Sequence, residues 1–166
     1  MLDFCRWLGS TPWSIALHES IWVYPIVESV HVLTLCLFLG LVIMIDLRLL
    51  GVTMLRTPAS NIVRPLNAWA LAGFVIMVIS GSLLFYANPA KTYLNIFFRM
   101  KLVFMALAGA NTAVFQWTMS GNMREWDLDP VPPARARLAG GISLLLWAGI
   151  VVAGRMIAYN WFDKQS

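Results

Sequence analysis

The chain has 166 residues, 60% of them hydrophobic and only 12% charged, with a mean hydropathy of +0.73. A water-soluble domain of this size is about half apolar and about a quarter charged, so most of this chain does not face water and one membrane-embedded domain is expected over 1–166. The formal charge of +4 lies on short loops and helix ends, with no basic run interleaved with aromatics; that excludes a nucleic-acid partner and leaves anchoring and topology as its role.

The N-terminal stretch lacks the basic region and short apolar core of a cleaved signal, so it is expected to be retained. Phe4, Trp7, Leu8 and Trp13 suit a short segment lying in the membrane interface. A spanning helix needs about 20 mostly apolar residues. Four stretches meet that length, over about 13–47, 66–87, 94–119 and 138–160. Thr57-Pro58, Arg64-Pro65, Asn88-Pro89 and the run Asp129 to Pro133 punctuate them. The fold class is therefore all-α: a polytopic, antiparallel bundle of four transmembrane helices in contact with lipid. Ala106 with Ala110, and Gly149 with Ala153, are expected at close helix contacts. Trp7, Trp13, Trp22 and Trp161 at one side, and Trp69 and Trp117 at the other, fit aromatic belts, while Trp147 falls mid-helix as a packing residue. Cys5 and Cys36 stand far apart, which indicates neither a disulfide framework nor a thiolate metal site; Cys36 is expected to pack as a small hydrophobe.

Four spans put both termini on one side. Once Lys101 and Arg155, which fall within helices, are set aside, the remaining basic residues lean towards that side being outside. Ionisable residues within spans are functional candidates because the bilayer makes them costly. Glu28 and His31 lie in the first span, with His18 and Glu19 just before it; Arg99 and Lys101 enter the third, and Arg155 is near the end of the fourth. All fall at the terminal side, joined by Tyr86, Asn88, Tyr93, Asn95, Tyr159 and Asn160. The opposite half reads as almost wholly apolar. One polar site, open towards the termini, is the expectation.

Glu28 and His31 share a helix face. A buried imidazole suits haem iron, and Arg99, Lys101 and Arg155 would suit anionic propionates. The plainer readings are a hydrogen bond from His31 across the bundle and snorkelling of the cations to the headgroups. Thirteen residues of helix rise about 20 Å and turn about 220°, so His18 and His31 cannot clamp one iron from a single helix, even one kinked at Pro25. A second axial ligand would come from methionine, water or a neighbouring subunit, which points to a homo-oligomer. His18 with Glu19 could hold copper or another metal, or simply be solvated. Glu28 would orient His31 or carry a proton.

The segments Glu28 to Leu33, Arg64 to Trp69, Gly73-Phe74, Ser80 to Phe85, and Asn95 with Phe98 and Lys101 resemble a family of small bacterial four-helix membrane proteins of unassigned function. The likeness runs from about His18 to Trp161 and implies that fold and a bacterial inner-membrane location; the lean of the basic residues places the termini on the periplasmic side. More loosely, a bundle with a membrane-embedded histidine is similar to b-type cytochromes, although paired histidines on different helices are missing. The first expectation is a haem b protein, with one or more haems, that passes single electrons to an unspecified redox partner, a carrier more than a catalyst. His31 would be axial, with Glu28 beside it, Lys101, Arg155 and Arg99 on propionates, and His18 at a second centre. The second is a cofactor-free proton or ion relay or accessory membrane subunit using Glu28, His31 and Lys101. The third is a copper site at His18 and Glu19.

Overall fold

The computed structural model describes residues 1–119, 123–129 and 131–159. Two short helices open the chain, α1 (Leu2–Gly9) and α2 (Pro12–Glu19). Thr11 caps α2 by accepting from Ser14 N–H, and Pro12 takes the first helical position, where a missing N–H is harmless. The N-terminal stretch is thus a helical pair. It is pinned to the bundle by Thr11 Oγ1, 2.7 Å from the Tyr86 hydroxyl, and by Ser14 Oγ, which donates to the Tyr86 carbonyl at 2.7 Å.

The first span is α3 (Val23–Leu50), which starts anew after a break at 20–22 instead of continuing from residue 13. Ser20 Oγ accepts from Val23 N–H at 3.0 Å, and Pro25 sits in the first turn, so this proline begins a helix where a kink in a longer one was expected. At the other end α3 runs past Ile45 through Asp46 and Arg48 to Gly51, which stops it with φ 75° and the paired C-terminal bonds Gly51 N to Arg48 O and Val52 N to Leu47 O.

The second span is α4 (Ala59–Ala87), which begins before Pro65 and carries that proline inside. Asp127, from the distant 123–129 segment, supplies its N-terminal cap: Ser60 N–H and Ser60 Oγ donate to the two carboxylate oxygens, both at 2.6 Å, and Ala59 N–H donates to the Asp127 carbonyl. Arg48, fully buried, donates to the Thr57 and Asp127 carbonyls. One guanidinium therefore ties the end of α3 to both loops on that side.

A short α5 (Pro89–Leu94) leads into the third span, α6 (Ile96–Met119), and α7 (Ala134–Met156) is the fourth. All four long helices are apolar and long enough to cross a membrane. Leu33, Leu37, Leu145 and Val152 point outward, as lipid contact requires. Trp7, Trp13, Trp22 and Trp117 are exposed towards the ends of the bundle, Trp69 is exposed about 15 Å into α4 because that helix starts at Ala59, and Trp147 is buried. Asn160, Trp161 and Lys164 lie outside the described residues.

The packing is less symmetric than a closed bundle. The spatial order is α4, α3, α7, α6: α3 packs on α4 and α7, and α7 packs on α6, while α4 and α6 scarcely touch along most of their length. Near the terminal side they meet through the stacked rings of Phe85 and Phe98, 5.4 Å apart. Glycines set the close approaches. A Cβ at Gly140 would lie 2.9 Å from the Asp46 carbonyl oxygen, and one at Gly149 would lie 3.0 Å from the Phe104 ring. Ala153 is buried as expected, whereas Ala106 and Ala110 face outward and Ala108 fills the interface. Cys36 also faces outward, and Cys5 is the buried cysteine.

Because the atom facing Gly140 is backbone, Gly140→Ala is expected to destabilise the protein in detergent by about 1–3 kcal/mol. Gly40, with nothing nearby, is the control: its alanine variant should unfold at the same or a higher temperature. Equal thermal midpoints for Gly140→Ala and wild type would contradict this packing.

Candidate functional site

Two polar regions lie inside the bundle, separated by aromatic rings. The first is built on His31, two turns into α3 and about 12 Å along its axis. Ser80, on α4 and buried, donates its hydroxyl to the Ile76 carbonyl at 2.8 Å, so its oxygen accepts from His31 Nδ1–H, also at 2.8 Å. The Met77 carbonyl faces the same ring, and in this tautomer Nε2 is the proton-accepting nitrogen. Gly81 makes room for the ring: a Cβ there would come 3.2 Å from His31 Cε1. Lys101, on α6, lies close enough to act on His31 electrostatically, and its ammonium runs over Gly154 of α7. Among the described residues no carboxylate pairs with it.

The other residues expected at this site are elsewhere. Glu28 is exposed on the outer face of α3, and the group orienting His31 is Ser80. Arg99 folds over the Tyr93 ring at 5.0 Å and donates to its carbonyl. Arg155 lies over Tyr159 at 5.2 Å and donates to its hydroxyl. Both cations are at the rim and turned to local tyrosines, as long side chains near a helix end do. His18 is exposed on α2 and accepts from the Asn88 amide at Nδ1, 2.8 Å away, with Tyr24 edge-on to its ring. Glu19 lines the same shallow hollow as His18. Among the described residues no three His, Cys, Asp or Glu side chains are grouped to share a metal ion. Of the expected constellation, the structure brings together His31 and Lys101 and adds Ser80.

The second region contradicts the expectation that the opposite half is almost wholly apolar. Asp46, 4% exposed, lines a cavity of about 400 Å³, with its Oδ2 lacking any hydrogen-bond partner. Ser143 of α7 faces the same carboxyl. Asn67, Asn111, Thr112 and Gln116 add polar atoms from α4 and α6. Asn111 is already committed, donating to the Ala139 carbonyl at 3.0 Å. The inner wall is Phe38, Phe74 and Trp147, with Phe38 4.6 Å from Trp147 and 6.1 Å from Phe74 between centroids. The cavity exists because α4 and α6 stand apart there. The signal in the sequence was Asp46 two residues before Arg48, adjoining an apolar run; reading the span as finished at 45–47 put both residues at the water boundary.

Four apolar spans with polar side chains held inside at two depths define a multi-pass α-helical membrane protein. The chain belongs to a family of unknown function, DUF6644, whose model matches residues 19–160. No curated protein and no solved structure matches it. The match agrees with the resemblance to an uncharacterised membrane family and brings no activity with it.

The Ser80 bond fixes the His31 tautomer. Nitrogen NMR of labelled imidazole is expected to show Nδ1 protonated in the neutral ring, and Ser80→Ala should shift the population towards Nε2–H. A wild-type ring protonated at Nε2 would contradict the assignment.

Proposed function

We propose that this is a bacterial inner-membrane protein that passes protons through the interior of its four-helix bundle. The observation that carries the reading is the placement of titratable side chains inside spanning helices on either side of a layer of aromatic rings. His31 and Lys101 lie towards the termini, and Asp46 lies about 22 Å further along α3. Ionisable groups at such positions cost several kcal/mol in a bilayer and mark ion or proton paths. The Phe38, Phe74 and Trp147 rings between them are the barrier, since an apolar constriction excludes water until it opens. His31 is suited to shuttling because Nδ1 is held by Ser80 while Nε2 takes and releases a proton. Glu28, on the outer face, is left out of this path. The lean of Arg and Lys supports termini on the periplasmic side.

A second reading is favoured by one specific observation, the bond that orients the His31 ring through Nδ1 on Ser80. An imidazole oriented through its other nitrogen is what an axial haem ligand requires. In this reading His31 would hold the iron and Lys101 would neutralise a propionate, and the group would supply one-electron chemistry. A second axial ligand would come from another copy of the chain, which makes a homo-oligomer part of this reading, with a redox partner to accept the electron.

Proteoliposomes under a potassium diffusion potential, with a trapped pH dye, test the proposal. Wild type should conduct above protein-free vesicles, and His31→Ala and Asp46→Asn should each lower the flux by about tenfold or more. Wild-type flux equal to that of empty vesicles would overturn it. A visible spectrum of protein made with ample haem tests the second reading: a Soret band that shifts on reduction and vanishes in His31→Ala supports it, and a colourless preparation sinks it.

A further inference from the structure

We propose that the cavity around Asp46 is a binding site for a lipophilic organic cation that enters sideways from the bilayer, between α4 and α6. It deepens the reading above by naming what the Asp46 end of the interior receives.

Three observations carry it. First, the Asp46 carboxyl is buried with one oxygen unpartnered, and no lysine or arginine among the described residues lines the cavity. Arg48, two residues along, points away to the Thr57 and Asp127 carbonyls. A carboxylate in such a place is paid for only by a positive charge or a proton. Second, the cavity is polarised along the membrane normal. Asp46 is four residues from the end of α3, about 6 Å from the helix terminus, while the aromatic wall lies at mid-membrane depth. A molecule with a cationic head and an apolar or aromatic body matches that order, with the head at the carboxylate and the body against Phe38, Phe74 and Trp147. Third, the mouth faces lipid. Leu71 on α4 and Gly109 and Thr112 on α6 line it and are exposed on spanning helices. The volume of about 400 Å³ falls within the range of small-molecule pockets. Asn67 and Ser143 would orient the head by hydrogen bonds where the ligand carries N–H groups.

The test is equilibrium binding of radiolabelled 1-methyl-4-phenylpyridinium, a fixed organic cation with its charge at one end and an aromatic ring at the other, to the full chain in detergent without any gradient. Wild type should bind saturably, and an excess of the uncharged analogue biphenyl should compete poorly. Asp46→Asn should weaken binding by about tenfold or more, the loss expected when one partner of a buried charge pair is removed. Ala113→Trp, a substitution at an exposed lining position that needs no refolding of the core, should also block binding, so the test survives if Asp46→Asn fails to fold. No saturable binding by wild type, equal binding by Asp46→Asn, or equal binding by Ala113→Trp would each overturn the site. Binding with no proton flux in vesicles would leave this site standing and fail the proton pathway; flux without binding would do the reverse.

Discussion

The contact on which the rest of the molecule depends is the seam between α3 and α7. At Gly140 the backbone of α7 comes so close to the Asp46 carbonyl that a single methyl group would collide with it. Small residues allow such approach in membranes, where lipid is as apolar as leucine and packing must do what the hydrophobic effect does in water. The ring of Trp147 against Phe38 extends the same seam to mid-membrane. With α3 and α7 locked as the central pair, α4 and α6 become wings on opposite partners. Each is fastened to its own neighbour, and the space between the wings is filled from neither side.

That arrangement gives the interior its two polar levels. Towards the termini the wings come together, Phe85 on Phe98, and the gap closes over His31, Ser80 and Lys101. Towards the loops they diverge, and Asp46 is left facing a cavity that no basic side chain among the described residues fills. The loop side is nevertheless well secured. Arg48 gathers Thr57 and Asp127, and Asp127 caps α4. Stability and function are thus divided between neighbouring residues of one helix turn: Arg48 holds the loops through Nε and one terminal nitrogen, and Asp46 keeps one carboxylate oxygen without a partner. An ionisable group that structure does not use, at a depth where it is costly, is where chemistry is to be sought.

The spans were legible because hydropathy over about twenty residues is a property of the sequence itself. The four long helices follow, as do the outward tryptophans and the packing role of Trp147. The ends were less legible. Asp46 and Arg48 resemble a loop because charge normally marks the water boundary, yet α3 continues until Gly51 supplies a left-handed stop. The start of α4 was hidden because its cap, Asp127, comes from a segment far along the chain. At the site, His31 and Lys101 could be picked out by their cost in lipid. Their partner Ser80 could not, since a serine in an apolar helix commonly bonds its own backbone. Glu28, three residues from His31, shares a helix side with it in spacing, but the helix turns that residue outward. The cavity depends on which helices fail to touch, and no local pattern encodes that.

On the loop side α4 and α6 part and open a polar pocket to the bilayer. Spin labels at Leu71 and Thr112, one at a time in reconstituted membranes, test it by their collision rates with oxygen, which partitions into lipid, and with a water-soluble nickel chelate. The account predicts mobile labels at both positions, relaxed strongly by oxygen and weakly by nickel. Labels immobilised and shielded from both reagents would mean that the wings close or another chain covers the gap, and that no pocket opens to the bilayer between α4 and α6.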